Sequence, residues 1–180
     1  MGQRIPGFSG EYLWELDIAK EQLLALAEAV PEEGYGWRPV EDARTFSAVL
    51  VHIAATSFAL LRYAAQPAEG ADLYGPLPED PLAMVAAIVR RNISLEKSLT
   101  GKREVIDLVT RSFDAAARAL AACGGEQLER TGEFFGERTT VRRVYLRMLT
   151  HTHEHMGQAV AYARSCGIRV PWPDPLNEFA

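Results

Sequence analysis

The feature that most constrains this chain is a helical stripe that carries two histidines on an otherwise core-facing surface. Val144, Met148, His151, His155, Gln158 and Tyr162 recur at spacings of four, three, four, three and four. On a helix of 3.6 residues per turn they share one face. Val144 and Met148 are apolar and turn that face toward a core. His153, two residues from each of the other two, then points nearly the opposite way, into solvent. An i, i+4 histidine pair is a common way to present two imidazoles to one metal ion. The bland alternative is a pair of partly buried histidines, each with a backbone or water partner. On this helix alone the two readings stand side by side.

Composition narrows the classes of partner. The chain has 180 residues, 48% apolar and 24% charged, with a net charge of −5. These values fit one globular domain spanning residues 1–180. No basic run offers a footprint for a phosphate backbone, so no nucleic-acid partner is expected. Cys123 and Cys166 form neither a Cys-x-x-Cys nor a disulfide framework, which fits a reducing compartment. The start of the chain has no apolar leader core, and Pro6 spoils a myristoylation motif. The longest uncharged run, Thr45 to Leu61, is short and contains Ser, Thr and His, so no membrane span is expected. These features together predict a cytoplasmic protein.

Taken in order, the chain reads as helices. Ser9 is a candidate cap for the first helix, whose apolar members include Leu13, Leu16, Leu23, Ala27 and Val30. Pro31 and Gly34-Tyr-Gly36 end it. A loop holds Trp37-Arg38-Pro39, where Trp37 reads as packing. Thr45 caps a second helix running to about Ala65, with Val49 and His52 on one face. Residues 66–81 are rich in Gly and Pro, a connection long enough to cross the end of a bundle. A helix follows over Pro81 to about Leu99. Thr100 is the candidate cap of a stronger one carrying Val105, Val109, Phe113, Ala116 and Leu120, stopped by Gly124-Gly125. Glu133 to Glu137 fits an extended or hairpin segment. Thr139 or Thr140 caps the last helix, which reaches about Ser165, and a Pro-rich tail closes the chain. The expected fold is all-α: a four-helix bundle with one long crossover connection between the second and third main helices.

His52 from the second helix would bring the imidazole count to three, the ligand number of a catalytic zinc-type site with one position left open. Alone, His52 on an Ala-rich helix is more often simply packed. Zn and Ni suit three imidazoles first, and Mn and Fe also accept them. Gln158, one turn beyond His155, is either a hydrogen-bond partner of a ligand histidine or a buried amide partnered elsewhere. His151-x-x-Glu154-His155 also fits the inverted zincin pattern, with Glu154 as base. That pattern needs a downstream carboxylate ligand, and only Asp174 and Glu178 follow, in the Pro-rich tail, so a metalloprotease is not supported. Glu154 is left at the edge of the metal face or on the surface. Trp14, Trp37 and Tyr162 line a pocket or belong to the core. No catalytic side chain beyond the metal ligands is assigned.

Two blocks of residues give the chain a family likeness. One runs from Trp37-Arg-Pro through Thr45-Phe-Ser-Ala-Val-Leu-Val-His52. The other is His151-x-x-x-His155-Met-Gly-Gln158, followed by Tyr162-Ala-Arg164 and Gly167. With these the chain resembles the DinB-like (DinB/YfiT) superfamily of four-helix-bundle metalloproteins. The resemblance implies a divalent ion held by His52, His151 and His155, and often a homodimer. Relatives include S-transferases and isomerases that use low-molecular-weight thiols on a small-molecule substrate. The expected function is therefore a metal- and thiol-dependent transferase. A metal-dependent hydrolase and a non-catalytic metal- or ligand-binding bundle are the alternatives. The 66–99 segment departs from the family pattern and is expected to reshape the pocket mouth.

Overall fold

The computed structural model describes residues 7–64 and 70–173. Helix α1, Phe8–Ala29, begins before Ser9, which therefore sits in the first turn and not at the cap. The cap position belongs to Gly7, whose φ of 86° is open to glycine at no steric cost. Tyr12, Leu16, Ala19, Leu23 and Leu26 form the buried stripe of α1, with Leu13 at its edge. A short 3-10 turn, Glu32–Gly36, follows, and the Tyr35 hydroxyl donates back to Ala27 O at 2.8 Å.

Helix α2, Phe46–Tyr63, is capped as the sequence predicts, with Thr45 Oγ1 accepting from Ala48 N at 3.1 Å. It is the central element. Fourteen of its 18 residues are buried, because it packs against neighbours on three sides. By length and composition alone it would be long enough to cross a membrane; here its apolar surface is taken up by other helices. Its expected end at Ala65, and residues 66–69 of the crossover, lie outside the described residues.

The crossover contains helices α3, Ala71–Tyr74, and α4, Pro81–Ser98. Asp80 caps α4, accepting from Ala83 N at 2.7 Å, and Pro81 suits the first turn. The crossover is pressed onto α2. A Cβ at Gly70, where φ is +75°, would meet Phe58 at 2.7 Å. The buried Tyr74 hydroxyl lies 2.5 Å from Ala55 O and 2.8 Å from Asn92 Oδ1, joining α2, α3 and α4. Helix α5, Lys102–Ala121, is flanked by Gly101 and not capped by Thr100. The leading amide of Lys102 instead donates to Glu32 Oε1 at 3.1 Å, and Lys102 Nζ reaches Glu28 O and Val30 O at 2.7 and 3.0 Å. One residue thereby serves a helix start and the carbonyl end of α1.

Helix α6, Gly125–Glu129, leads into strands β1, Thr131–Phe134, and β2, Glu137–Thr140. They pair antiparallel with Thr131 opposite Thr140 and Phe134 opposite Glu137. The segment left open between extended and hairpin is thus a hairpin. Phe135 and Gly136 make its two-residue turn with φ of 50° and 80°, a pair of positive values that matches the twist of adjoining strands. Helix α7, Val141–Ser165, starts at Thr140, whose Oγ1 accepts from Arg143 N at 3.3 Å. Asp174 and Glu178 lie outside the described residues.

Helices α1 and α2 each pack against both α5 and α7, so α1 and α2 stand on one diagonal of a four-helix bundle and α5 and α7 on the other. Helix α4 lies outside this square against α2. Among the described residues the only strands are the two of the hairpin. The all-α bundle with one long crossover is the architecture observed.

A candidate metal centre between two helices

The two histidine-bearing helices, α2 and α7, pack directly on each other. His52, His151 and His155 meet there, each offering one ring nitrogen, and these atoms all lie within 4.8 Å of one another. The ring centroids are 5.0, 4.6 and 4.5 Å apart. His151 is buried and the other two are half-buried. His153 is exposed, as its position on the wheel predicts, and its Nδ1 donates to Leu149 O at 3.0 Å.

The hydrogen bonds around the cluster decide which nitrogens face inward. His52 Nδ1 lies 2.7 Å from Glu96 Oε1. His155 Nδ1 lies 3.0 Å from Gln158 Oε1. Both oxygens accept, so both Nδ1 atoms carry the proton and both Nε2 atoms are left as lone pairs. Gln158 is held in turn, its Nε2 donating to Tyr162 Oη at 2.9 Å. Trp37 packs edge-on against the Tyr162 ring at 5.2 Å. The loop tryptophan is therefore packing, and what it packs supports the residue that orients His155.

Glu96 was not among the residues singled out by sequence. Its side chain is 9% exposed and also accepts from Arg44 Nε at 2.7 Å. Burial pushes its carboxyl upward, but the hydrogen bonds from His52 and Arg44 outweigh this and hold it below the ordinary carboxylate range. It stays ionised, a half-buried anion shared by a guanidinium and an imidazole. No periodic signal marks it. Only the folding of α4 back onto α2 brings it within reach, 44 residues from its partner.

Electrostatics keep the cluster competent for a cation. Burial lowers the His151 pKa to about 3, helped by the neighbouring His155 and His52 and by Arg147 and Arg44. Burial also lowers that of His155, against the opposing effect of its bond to Gln158. Both are neutral at pH 7, the form a metal binds. His151 Nε2 lies 3.2 Å from His52 Nε2. With a lone pair on the His52 atom, that approach needs either a proton on His151 Nε2 or a cation between them. A tetrahedral ion with bonds of about 2.0–2.1 Å would set ligand nitrogens about 3.3 Å apart. The donor set, its tautomers and the spacing of the His52–His151 pair fit a divalent ion, with the third nitrogen within 4.8 Å of both.

Glu154 is exposed and pairs with Arg147 at 3.3 Å. Gly157 is exposed as well, with open space where a Cβ would stand; no helix approaches it. Cys123 is buried and Cys166 exposed, and neither belongs to the cluster. Trp14 is 44% exposed. Beside the cluster lies a cavity of about 410 Å³ bounded by α2, α4, α7 and the hairpin, with His52 and His151 in its wall. Val85, Ile88 and Val89 of helix α4 line one side of it.

These features define a class: a four-helix bundle with a partly buried three-histidine centre suited to a metal ion. The chain belongs to the DinB superfamily, whose family model matches residues 15–159. Among solved structures it is similar to a DinB-like protein of Bacillus cereus, at 18% identity and a TM-score of 0.64, with 97% of this chain and 100% of that one covered. It is also similar to a DinB-like protein of Bacillus subtilis, at 17% identity and a TM-score of 0.57, with 90% and 96% covered. At such identities the likeness speaks to the fold. No curated protein matches the sequence.

Proposed function

We propose that this protein is a divalent-metal-dependent enzyme that joins a small thiol to an electrophilic small molecule in the cavity beside His52 and His151. One observation carries the reading. Three imidazoles converge on one point, and two of them form part of the wall of a cavity large enough for a small ligand. His52, His151 and His155 would hold the ion, with Zn or Ni favoured and Mn or Fe also suited. When bound, such an ion supplies Lewis-acid activation of a thiol or a water at neutral pH.

The chain's own residues do the rest. Glu96 and Gln158 hold the Nδ1 protons, so the inward nitrogens stay available. Burial keeps His151 neutral. Leu60, Ile88 and Phe134 give the cavity an apolar wall that limits water. Among the described residues, no cysteine or serine lines the cavity. Cys123 lies outside the cavity lining, and burial raises its thiol pKa. The nucleophile then comes from outside, which favours a thiol substrate. A sulfur–carbon bond forms as a carbon–halogen bond, an epoxide carbon–oxygen bond or an alkene π-bond breaks; the thiol proton goes to solvent alongside the halide, or onto the new alkoxide or carbanion.

The test is a panel of common low-molecular-weight thiols against an activated halide, an epoxide and a strained alkene, with metal-loaded and metal-stripped protein. Thiol- and metal-dependent product is expected. Ester or amide hydrolysis without thiol would replace this reading with a hydrolase using the same three ligands. If no activity depends on metal, the protein is a binding bundle.

A further inference from the structure

The charge of the cavity wall is at odds with the charge of the chain. The protein carries a net −5, yet among the described residues the cavity lining contains Arg143 and Arg147 and no aspartate or glutamate. Arg143, Arg147 and His151 follow one another at i, i+4 and i+8 on α7, so they form one row along the cavity. At 1.5 Å per residue the two guanidinium-bearing positions stand about 6 and 12 Å along the helix from His151. The lining drawn from α4 and the hairpin is mostly apolar, with Asn92 its one polar member among the described residues. Val85 and Val89 come from α4, and Phe134 and Phe135 from the hairpin. Val89 is 49% exposed and Phe135 64% exposed. Phe135 is held at a φ of +50°, a conformation unfavourable for a bulky side chain, and there it stacks on Tyr63 at 5.8 Å. Deep in the lining, Thr56 Oγ1 is buried without a hydrogen-bond partner among the described residues.

We infer that the cavity selects an amphipathic carboxylic acid, its carboxylate on Arg143 and Arg147 and its apolar body between α4 and the hairpin. Guanidinium groups favour planar anions that accept two hydrogen bonds. Arg147 already meets Glu154, but at 3.3 Å and with both side chains in solvent. Such a pair is weak and is readily exchanged for a ligand carboxylate. Arg143 lies 5.7 Å from the Phe134 ring centre, which keeps its charge beside the apolar wall. The Thr56 hydroxyl offers a polar contact to the buried part of the ligand. The inference rests on the proposed metal centre for where the reacting end of the ligand points; the arginine row alone carries how the acid is held.

The experiment is calorimetric titration of the full chain, metal-stripped and metal-loaded, with phenylbutyrate and with its methyl ester. The metal-stripped protein should bind the acid about tenfold more tightly than the ester, the scale of a hydrogen bond to a solvent-facing charge. Arg143→Gln and Arg147→Gln should each weaken the acid severalfold and leave the ester unchanged, and the double variant should abolish the preference. Both positions are exposed, so the bundle should tolerate the changes. Equal binding of acid and ester, or no binding of either, would overturn the inference. So would a preference that survives the double substitution. If that surviving preference appears only with metal, the carboxylate sits on the ion; the arginine row is then wrong and the metal centre stands. If the protein takes up no metal but shows an arginine-dependent preference, the metal reading falls and the acid site stands.

Discussion

Glu96 Oε1 lies 2.7 Å from His52 Nδ1, and this contact joins the crossover helix α4 to the three-histidine centre. The carboxylate fixes the tautomer and ring orientation of His52 and is itself held by Arg44. The position of α4 and the orientation of one ligand are therefore a single structural fact.

Glu96→Gln keeps an oxygen that accepts from His52 but removes the charge. Metal affinity should fall by about tenfold, the lower end of what such partners contribute. Competition with a chelator of known affinity measures it. An unchanged dissociation constant would show that the carboxylate serves the Arg44 pair alone.

Substitution of the histidines separates ligands from bystanders. His52→Ala, His151→Ala and His155→Ala should each purify with far less metal than the parent chain. His153→Ala should retain it, because that ring is in solvent and bonded to its own helix. Elemental analysis of protein purified without added metal decides this. Full occupancy in His52→Ala would remove the α2 ligand from the centre.

Much of this centre was legible in the sequence. The stripe from Val144 to Tyr162 placed His151, His155 and Gln158 on one face, and the same periodicity turned His52 inward and His153 out. Thr45 and the Thr139-Thr140 pair were readable as cap candidates because a hydroxyl residue just before an apolar helical run commonly caps it; the structure selects Thr140. The same signal points to Ser9 and Thr100, where the cap positions belong to Gly7 and Gly101. Two residues before Ser9, Gly7 already opens the helix, and after Thr100 the Glu32 carboxylate meets the free amide of Lys102. Glu96 and Arg44 were invisible, since their roles arise from long-range packing. The hairpin was ambiguous because four-residue strands carry too little alternation to distinguish them from loop.

Acid should destabilise the metal-free protein in a defined window. His151 titrates near 3 when folded and at about 6.5 when unfolded. Between these values the unfolded chain binds the extra proton, so stability falls as pH drops below about 6.5 and this contribution levels off near 3. His155 shifts in the same direction. Glu96 adds to the loss at lower pH, because its folded carboxyl is held below the usual range. Each fully titrating group contributes a slope of up to about 1.4 kcal/mol per pH unit. Urea midpoints taken from about pH 7 down to about pH 5 should decline. A flat profile would mean that His151 is not buried in its neutral form.

The hairpin turn offers a test in which stability and binding move in opposite directions. Phe135 occupies a left-handed conformation at the first turn position, followed by Gly136, where asparagine is favoured. Its ring is 64% exposed, so little buried area is lost when it is replaced. Relief of the backbone strain, about 1 kcal/mol, should exceed the loss of its contacts with Tyr63 and Phe134. Phe135→Asn should therefore raise the unfolding midpoint slightly. The same change removes one apolar wall of the cavity, so phenylbutyrate and its methyl ester should both bind more weakly, by a similar factor. That pattern differs from the arginine variants, which should affect the acid alone. A variant that loses stability and keeps its affinity for both probes would show that Phe135 is there for the hairpin and not for a ligand.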